Sequence, residues 1–278
     1  MATTTKTASP KKSQGFQGVQ GAIWIIIACF ILAVLFFQFV LGNPANFVDG
    51  DPNNHVKDGN LLGLIYKGGY VVPVIITLLF SVVALSIERW LAIRTAFGKG
   101  KLPKFVSNIK AALAAGDFAK AQKLCDDQRG TVANVVGASL ATYKEMENTT
   151  GMKKAQKIAK IQQAHEEATQ LEMPTLQMNM PIIGTIVTLG TLTALFGTVV
   201  GMIRSFAALA AGGGGDSLAL SQGISEALVN TASGILTSWG AVIAYNYYTN
   251  KIDKLTYALD EVGYTLAQTY EANHTEEV

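Results

Sequence analysis

Apolar and polar positions alternate along this chain in long blocks. From Ala22 to Leu41 no side chain is charged, and the same holds from Gly68 to Ile87, where the run stops at Glu88-Arg89. A third uncharged stretch extends from Met173 to Ile203, with Pro174 and Pro181 inside it, and a fourth follows Glu226 as far as Lys251. About 20 consecutive apolar residues are needed to carry a helix through hydrocarbon, so each block predicts a membrane span. The h-region of a cleaved signal is only about 7–15 residues long. No small-x-small site follows the first block before Asn43-Pro44, so 22–41 is read as a retained helix.

The blocks predict an all-α membrane protein with four transmembrane helices, two of them extending into a cytoplasmic helical bundle. The expected order is a flexible tail (1–21), a first span (22–41), an outer loop (42–67), a second span (68–93) and a charged helical region (94–172). A third span (173–205), an outer loop (206–222), a fourth span (223–250) and an inner tail (251–278) follow. Asp117 after Gly116 reads as the N-cap of the helix FAKAQKLC, closed by Gly130. Residues 153–172 read as a polar helix running into the third apolar block.

Charge sets the sidedness. The tail and the 88–172 segment hold 17 of the 22 Lys and Arg residues, whereas the 42–67 and 204–222 loops hold three. Basic loops stay in the cytoplasm. Four spans therefore put both termini and the charged middle segment inside, in a bacterial inner membrane.

Composition narrows the chemistry. Only 15% of residues are charged, against about 25% in soluble domains. A net charge of +2 without basic-aromatic interleaving gives no sign of nucleic acid. Two cysteines make no disulfide framework. No zinc pattern, nucleophile elbow or phosphate-cradling loop occurs. The Gly212–Gly215 run lacks a following Lys-Ser/Thr and reads as a turn. The three histidines (His55, His165, His274) have no neighbours at ligand spacing and read as solvated surface residues. The chain is expected to be no enzyme and to need no cofactor or metal.

Polarity inside the later spans is more informative. At 100° per residue, Asn230, Ser233 and Thr237 fall within about 40° of the line through Glu226. Thr231 and Ser238 form a second stripe, and Thr191 and Thr198 share a face of the third span, extended by Ser205. Lipid cannot hydrogen-bond such groups. A single hydroxyl can bond back to its own helix, and Gly197-x-x-x-Gly201 can simply let helices pack closely. Taken together with a carboxylate, the faces suggest a wet lumen lined by spans three and four. Glu226 sits at the outer end of its span, where a helix N-terminus favours negative charge. No Asp, Glu, Lys or Arg occupies the middle of any span. A mid-membrane carboxylate for ion transfer would therefore come from another chain.

The run ALFGTVVGMIRSF (194–206) followed by GISEALVNTASGILTSWGAVIAYN (223–246) resembles the ExbB/TolQ/MotA family of proton-channel subunits. So do AALAAGDFAKAQKLCDDQRG (111–130) and SIERW (86–90), and the likeness covers most of 63–260. The resemblance implies that Thr198, Glu226 and Thr231 face a pore and serve proton-coupled work. It also implies a homopentameric ring around transmembrane helices of an ExbD-like single-span protein, whose membrane Asp carries the proton, with a TonB-like protein conveying motion to outer-membrane receptors. Thr191 and Gly240 stand where the family often has Pro, and the first span is additional to the three-span ExbB or TolQ pattern. MotA has four spans and stays open beside TolQ. An autonomous transporter would show internal repeats, and none is evident.

Overall fold

The computed structural model describes residues 21–52, 54–57, 59–211 and 217–274. Residues 1–20 of the expected tail and the Gly212–Gly215 turn lie outside them. The fold is all-α: among the described residues no strand forms, and Phe47 and Val56 make one isolated antiparallel bridge. Nine α-helices are described: α1 (Ala22–Phe36), α2 (Leu61–Tyr66), α3 (Val72–Phe97), α4 (Leu102–Ala114), α5 (Phe118–Gln128), α6 (Gly130–Asn148), α7 (Lys154–Gln177), α8 (Met180–Ala211) and α9 (Ser217–Asn273). Four stretches are long and apolar enough to cross a membrane, within Ala22–Leu41, Gly69–Ala114, Lys154–Ala207 and Leu220–Asn273. The chain is a multi-pass membrane protein.

It divides into two compact units. The span unit takes the described residues of 19–88 and 179–247, and the charged unit those of 89–178 and 248–278.

In the span unit, α1 buries one narrow face, Ala22, Cys29 and Ala33, while Ile23, Trp24, Phe30 and Leu32 stay exposed. Ala33 and Leu41 pack with Val72 and Ile76, flanked by Phe36, Phe37, Ile65, Tyr66 and Phe80. Phe37 stacks on Tyr66 at 4.6 Å between ring centres. The last turn of the first span, Phe37–Leu41, widens into a π-helical turn. The carbonyls at a helix end need partners. Here the buried Asn46 side chain donates to Val40 O and Leu41 O, both at 2.9 Å. Segment 42–67 is thus more structured than its Pro- and Gly-rich composition suggests. Asn60 donates to Asn46 Oδ1 at 3.0 Å and caps α2 by accepting from Gly63 N–H at 3.1 Å.

In the charged unit, Asp117 caps α5 as expected, accepting from Lys120 N–H at 2.9 Å. Gly130 opens α6 rather than closing α5, because the turn is made by Arg129 and Gly130, both at positive φ (56° and 83°). α6 buries Val132, Val135, Val136, Leu140 and Tyr143, and the end of α9 buries Leu255, Leu259, Val262, Leu266 and Tyr270 at helical spacing. Arg89 is fully buried and donates to Thr175 O at 3.2 Å and Leu176 O at 3.4 Å, the free carbonyls at the end of α7. The polar helix does run on into the third apolar block, through Pro174 to Gln177. The break falls at Met178-Asn179, where Asn179 takes φ 63°, a left-handed conformation that Asn tolerates better than most residues. Pro181 causes no kink, since it sits in the first turn of α8, where no intrahelical N–H bond is lost.

Candidate functional site

The site lies where α8 and α9 pack against each other. Both helices carry small or hydroxylated residues every seven positions on the facing side, which is two turns, or about 10.5 Å. Gly190 and Gly234 let the backbones close in: a Cβ on Gly234 would come 2.3 Å from Ala194 Cβ and 2.6 Å from Gly190 O. At that separation the hydroxyls meet in pairs.

Thr198 Oγ1 and Thr231 Oγ1 lie 2.5 Å apart, and Thr191 Oγ1 and Ser238 Oγ 3.0 Å apart. Each threonine of the first pair also bonds to backbone. Thr198 donates to Ala194 O at 3.0 Å or Ala227 O at 3.3 Å, and Thr231 to Ala227 O at 3.1 Å. A hydroxyl has one proton, so these are alternatives between which the pair can switch by rotating O–H bonds. Thr198 and Thr231 are half-buried, Thr191 is exposed and Ser238 buried. The result is an antiparallel seam of hydroxyls with one edge open.

Glu226 lies in the first third of α9, five residues before Thr231. Its Oε1 accepts from Arg204 Nη1 at 3.2 Å, and the carboxylate side chain keeps only 19% of its exposure.

The stripe expected on the same line as Glu226 is placed differently from the seam. Asn230 and Thr237 are fully buried within the span unit. Asn230 Nδ2 donates to Gly68 O at 3.0 Å, and its side chain fills the space left by Gly197. Thr237 donates to Ser233 O at 3.0 Å, and Ser233 is half-buried. In a helix among other helices a polar line can be satisfied by neighbouring backbone as readily as by water. Ser205 is likewise buried, donating to Gly201 O at 2.9 Å. Of the seven candidates, the structure joins Thr191, Thr198 and Thr231 in the seam, sets Glu226 at the Thr198–Thr231 end of it, leaves Ser233 half-buried, and turns Asn230 and Thr237 inward.

Sequence reasoning missed a cavity of 540 Å³ at the other end of the seam, lined by Pro181, Gly184, Thr185, Thr188, Tyr245 and Asn246 among others. Thr185 and Thr188 are exposed. Their spacing of three from each other and from Thr191 was the available signal. Among the described residues no group of three His, Cys, Asp or Glu side chains could hold a metal ion.

Residues 136–261 match the family model described as the MotA/TolQ/ExbB proton channel family. The Tol-Pal system protein TolQ of Pseudomonas aeruginosa is 25% identical over 228 residues, covering 79% of this chain and 94% of that protein. A putative biopolymer transport protein, ExbB-like 1 of Synechocystis sp., is 29% identical over 196 residues, 66% of this chain and 69% of the relative. ExbB-like 3 of the same organism is 34% identical over 87 residues, 31% of this chain and 41% of its own length. The family-model match, residues 136–261, includes the whole seam.

Proposed function

We propose, from the premise that residues 136–261 belong to the MotA/TolQ/ExbB proton channel family, that this chain is the wall subunit of an inner-membrane motor driven by proton-motive force. Several copies, five by the family resemblance, enclose a passage bordered by the open edge of the α8–α9 seam. A single-span ExbD-like partner occupies it and supplies the membrane Asp that no span of this chain contains. A TonB-like protein then carries the motion to outer-membrane uptake. Each proton falling through about 100 mV releases about 2.3 kcal/mol, so useful mechanical work needs repeated steps, as a ring allows.

The observation that carries this reading is the Thr198–Thr231 pair at 2.5 Å. It is a hydroxyl couple within the third and fourth spans with alternative acceptors, able to relay a proton or solvate a cation beside a foreign carboxylate.

A TolQ-like role in envelope maintenance is the second reading, favoured by the relative that matches over 94% of its length. The two share the wall chemistry and differ in the protein driven.

The test is energised uptake with the partner co-expressed. Thr198→Val and Thr231→Val, which keep shape and delete the hydroxyl, are each expected to cut the rate at least tenfold with ring assembly intact. Normal uptake in both would end the reading. Identifying the co-purifying single-span protein separates the TonB-type role from the Tol-type role.

A further inference from the structure

The chemistry assigned to Glu226 leaves Arg204 unexplained. It is the one basic residue in the described part of α8, and its guanidinium is held from two sides. Nη1 donates to Glu226 Oε1 at 3.2 Å, and the group lies over the Tyr70 ring at 5.6 Å. Arg204 keeps 49% of its side-chain exposure while Glu226 keeps 19%. Arginine therefore stands between the carboxylate and the outside. An ion pair with one partner half exposed contributes little to stability, so stability does not account for it.

The other side of the carboxylate is closed by the turn before α3. Gly69 has φ 77°, and a Cβ there would lie 2.3 Å from Glu226 Oε1 and 3.5 Å from Arg204 Nη1. The conformation favours glycine, and a Cβ there would push the carboxylate aside. The turn is itself pinned, because the fully buried Asn230, one helical turn along α9 from Glu226, donates to Gly68 O at 3.0 Å. Three segments thus converge on one carboxylate: the Gly68–Tyr70 turn, α8 through Arg204, and α9.

We propose that Arg204 is the positioning residue for Glu226, fixing its carboxylate against Gly69 at the outer end of the hydroxyl seam so that ions enter past a defined charge pair. The proposal rests on the function given above and adds to it the residue that sets the entrance. A planar guanidinium can stack on Tyr70 and donate to Glu226 at once, which a lysine ammonium cannot do as well.

The test measures proton influx into vesicles containing the chain with its co-purifying partner, followed with an entrapped pH dye, and ring size by gel filtration as the folding control. Arg204→Gln is expected to slow influx about tenfold at unchanged ring size, and Arg204→Lys to keep about half the rate. Gly69→Ala, which removes no charge, is expected to slow it about threefold by displacing the carboxylate. The double variant Arg204→Gln/Glu226→Gln should be no slower than Glu226→Gln alone, because two residues acting as one unit are not additive. A slow Glu226→Gln beside an Arg204→Gln at wild-type rate would overturn the positioning role and leave the function standing. So would losses that multiply in the double variant. A Glu226→Gln at wild-type rate would instead remove Glu226 from the path, and the role of Arg204 with it.

Discussion

Cys125 is 4% exposed on the inner face of α5. Burial, reinforced by the neighbouring Asp126 carboxylate, pushes its thiol up to about 12. The thiolate is the reactive form. At pH 8 maleimide labelling of Cys125 in the folded chain is therefore expected to be at least about a hundredfold slower than for a free cysteine. Peptide mass spectrometry before and after denaturation checks this. His165 departs from its expected solvated state: it is buried, its Nδ1 lies 2.9 Å from Ser139 Oγ, and its ring presses on Gly263 of α9. Burial lowers its pKa, against weaker opposing effects of the Leu259 carbonyl and the Asp260 and Glu166 carboxylates. The unfolded chain then binds the proton more readily. The stabilisation is complete above the ordinary histidine value of about 6.5 and is lost as pH falls through the lower, folded value. Melting of the full chain in detergent should show the charged unit weakening as pH falls below about 6.5, and His165→Gln should flatten that slope.

At the scale of elements, the packing of α8 on α9 depends on missing side chains as much as on hydroxyls. Gly234→Ala would force the helices apart, at a cost of about 1–3 kcal/mol for an overpacked interface, and should separate Thr198 from Thr231. A lower melting temperature together with a loss of energised uptake like that of Thr198→Val is the expected outcome. Both hydroxyl stripes of the seam were legible in the sequence, because a 3.6-residue period states which residues share a line. It does not state what covers the line, and for that reason Asn230 and Thr237 read as wet when they are enclosed. The partner of Asn230 is the Gly68 carbonyl, 162 residues away, which no local pattern reveals. The break at Asn179 was missed for a related reason. Two prolines nearby carried the stronger local signal, yet Pro181 sits in the first turn of α8 and α7 runs three residues past Pro174 before it ends.

At the scale of the molecule, the four spans and the basic middle segment were plain from charge-free runs and loop charge, since both follow from the cost of carrying charge through lipid. With the basic residues inside, a fluorescent protein fused after residue 278 should fold and glow, and alkaline phosphatase inserted in the 42–67 segment should be active. The reverse pattern would invert the assigned orientation. The heptad spacing of the seam also restricts how such a molecule can move. Were α8 to slide along α9 by one turn, Thr198 would face Ala227 or Ile235 and Thr191 would face Gly234 or Val242. Either step breaks both couples and leaves Thr191, Thr198, Thr231 and Ser238 with at most their own helices' carbonyls as partners. Sliding of one helix along the other is therefore opposed, whereas tilting or rotating the two together, as one stave, would keep both couples.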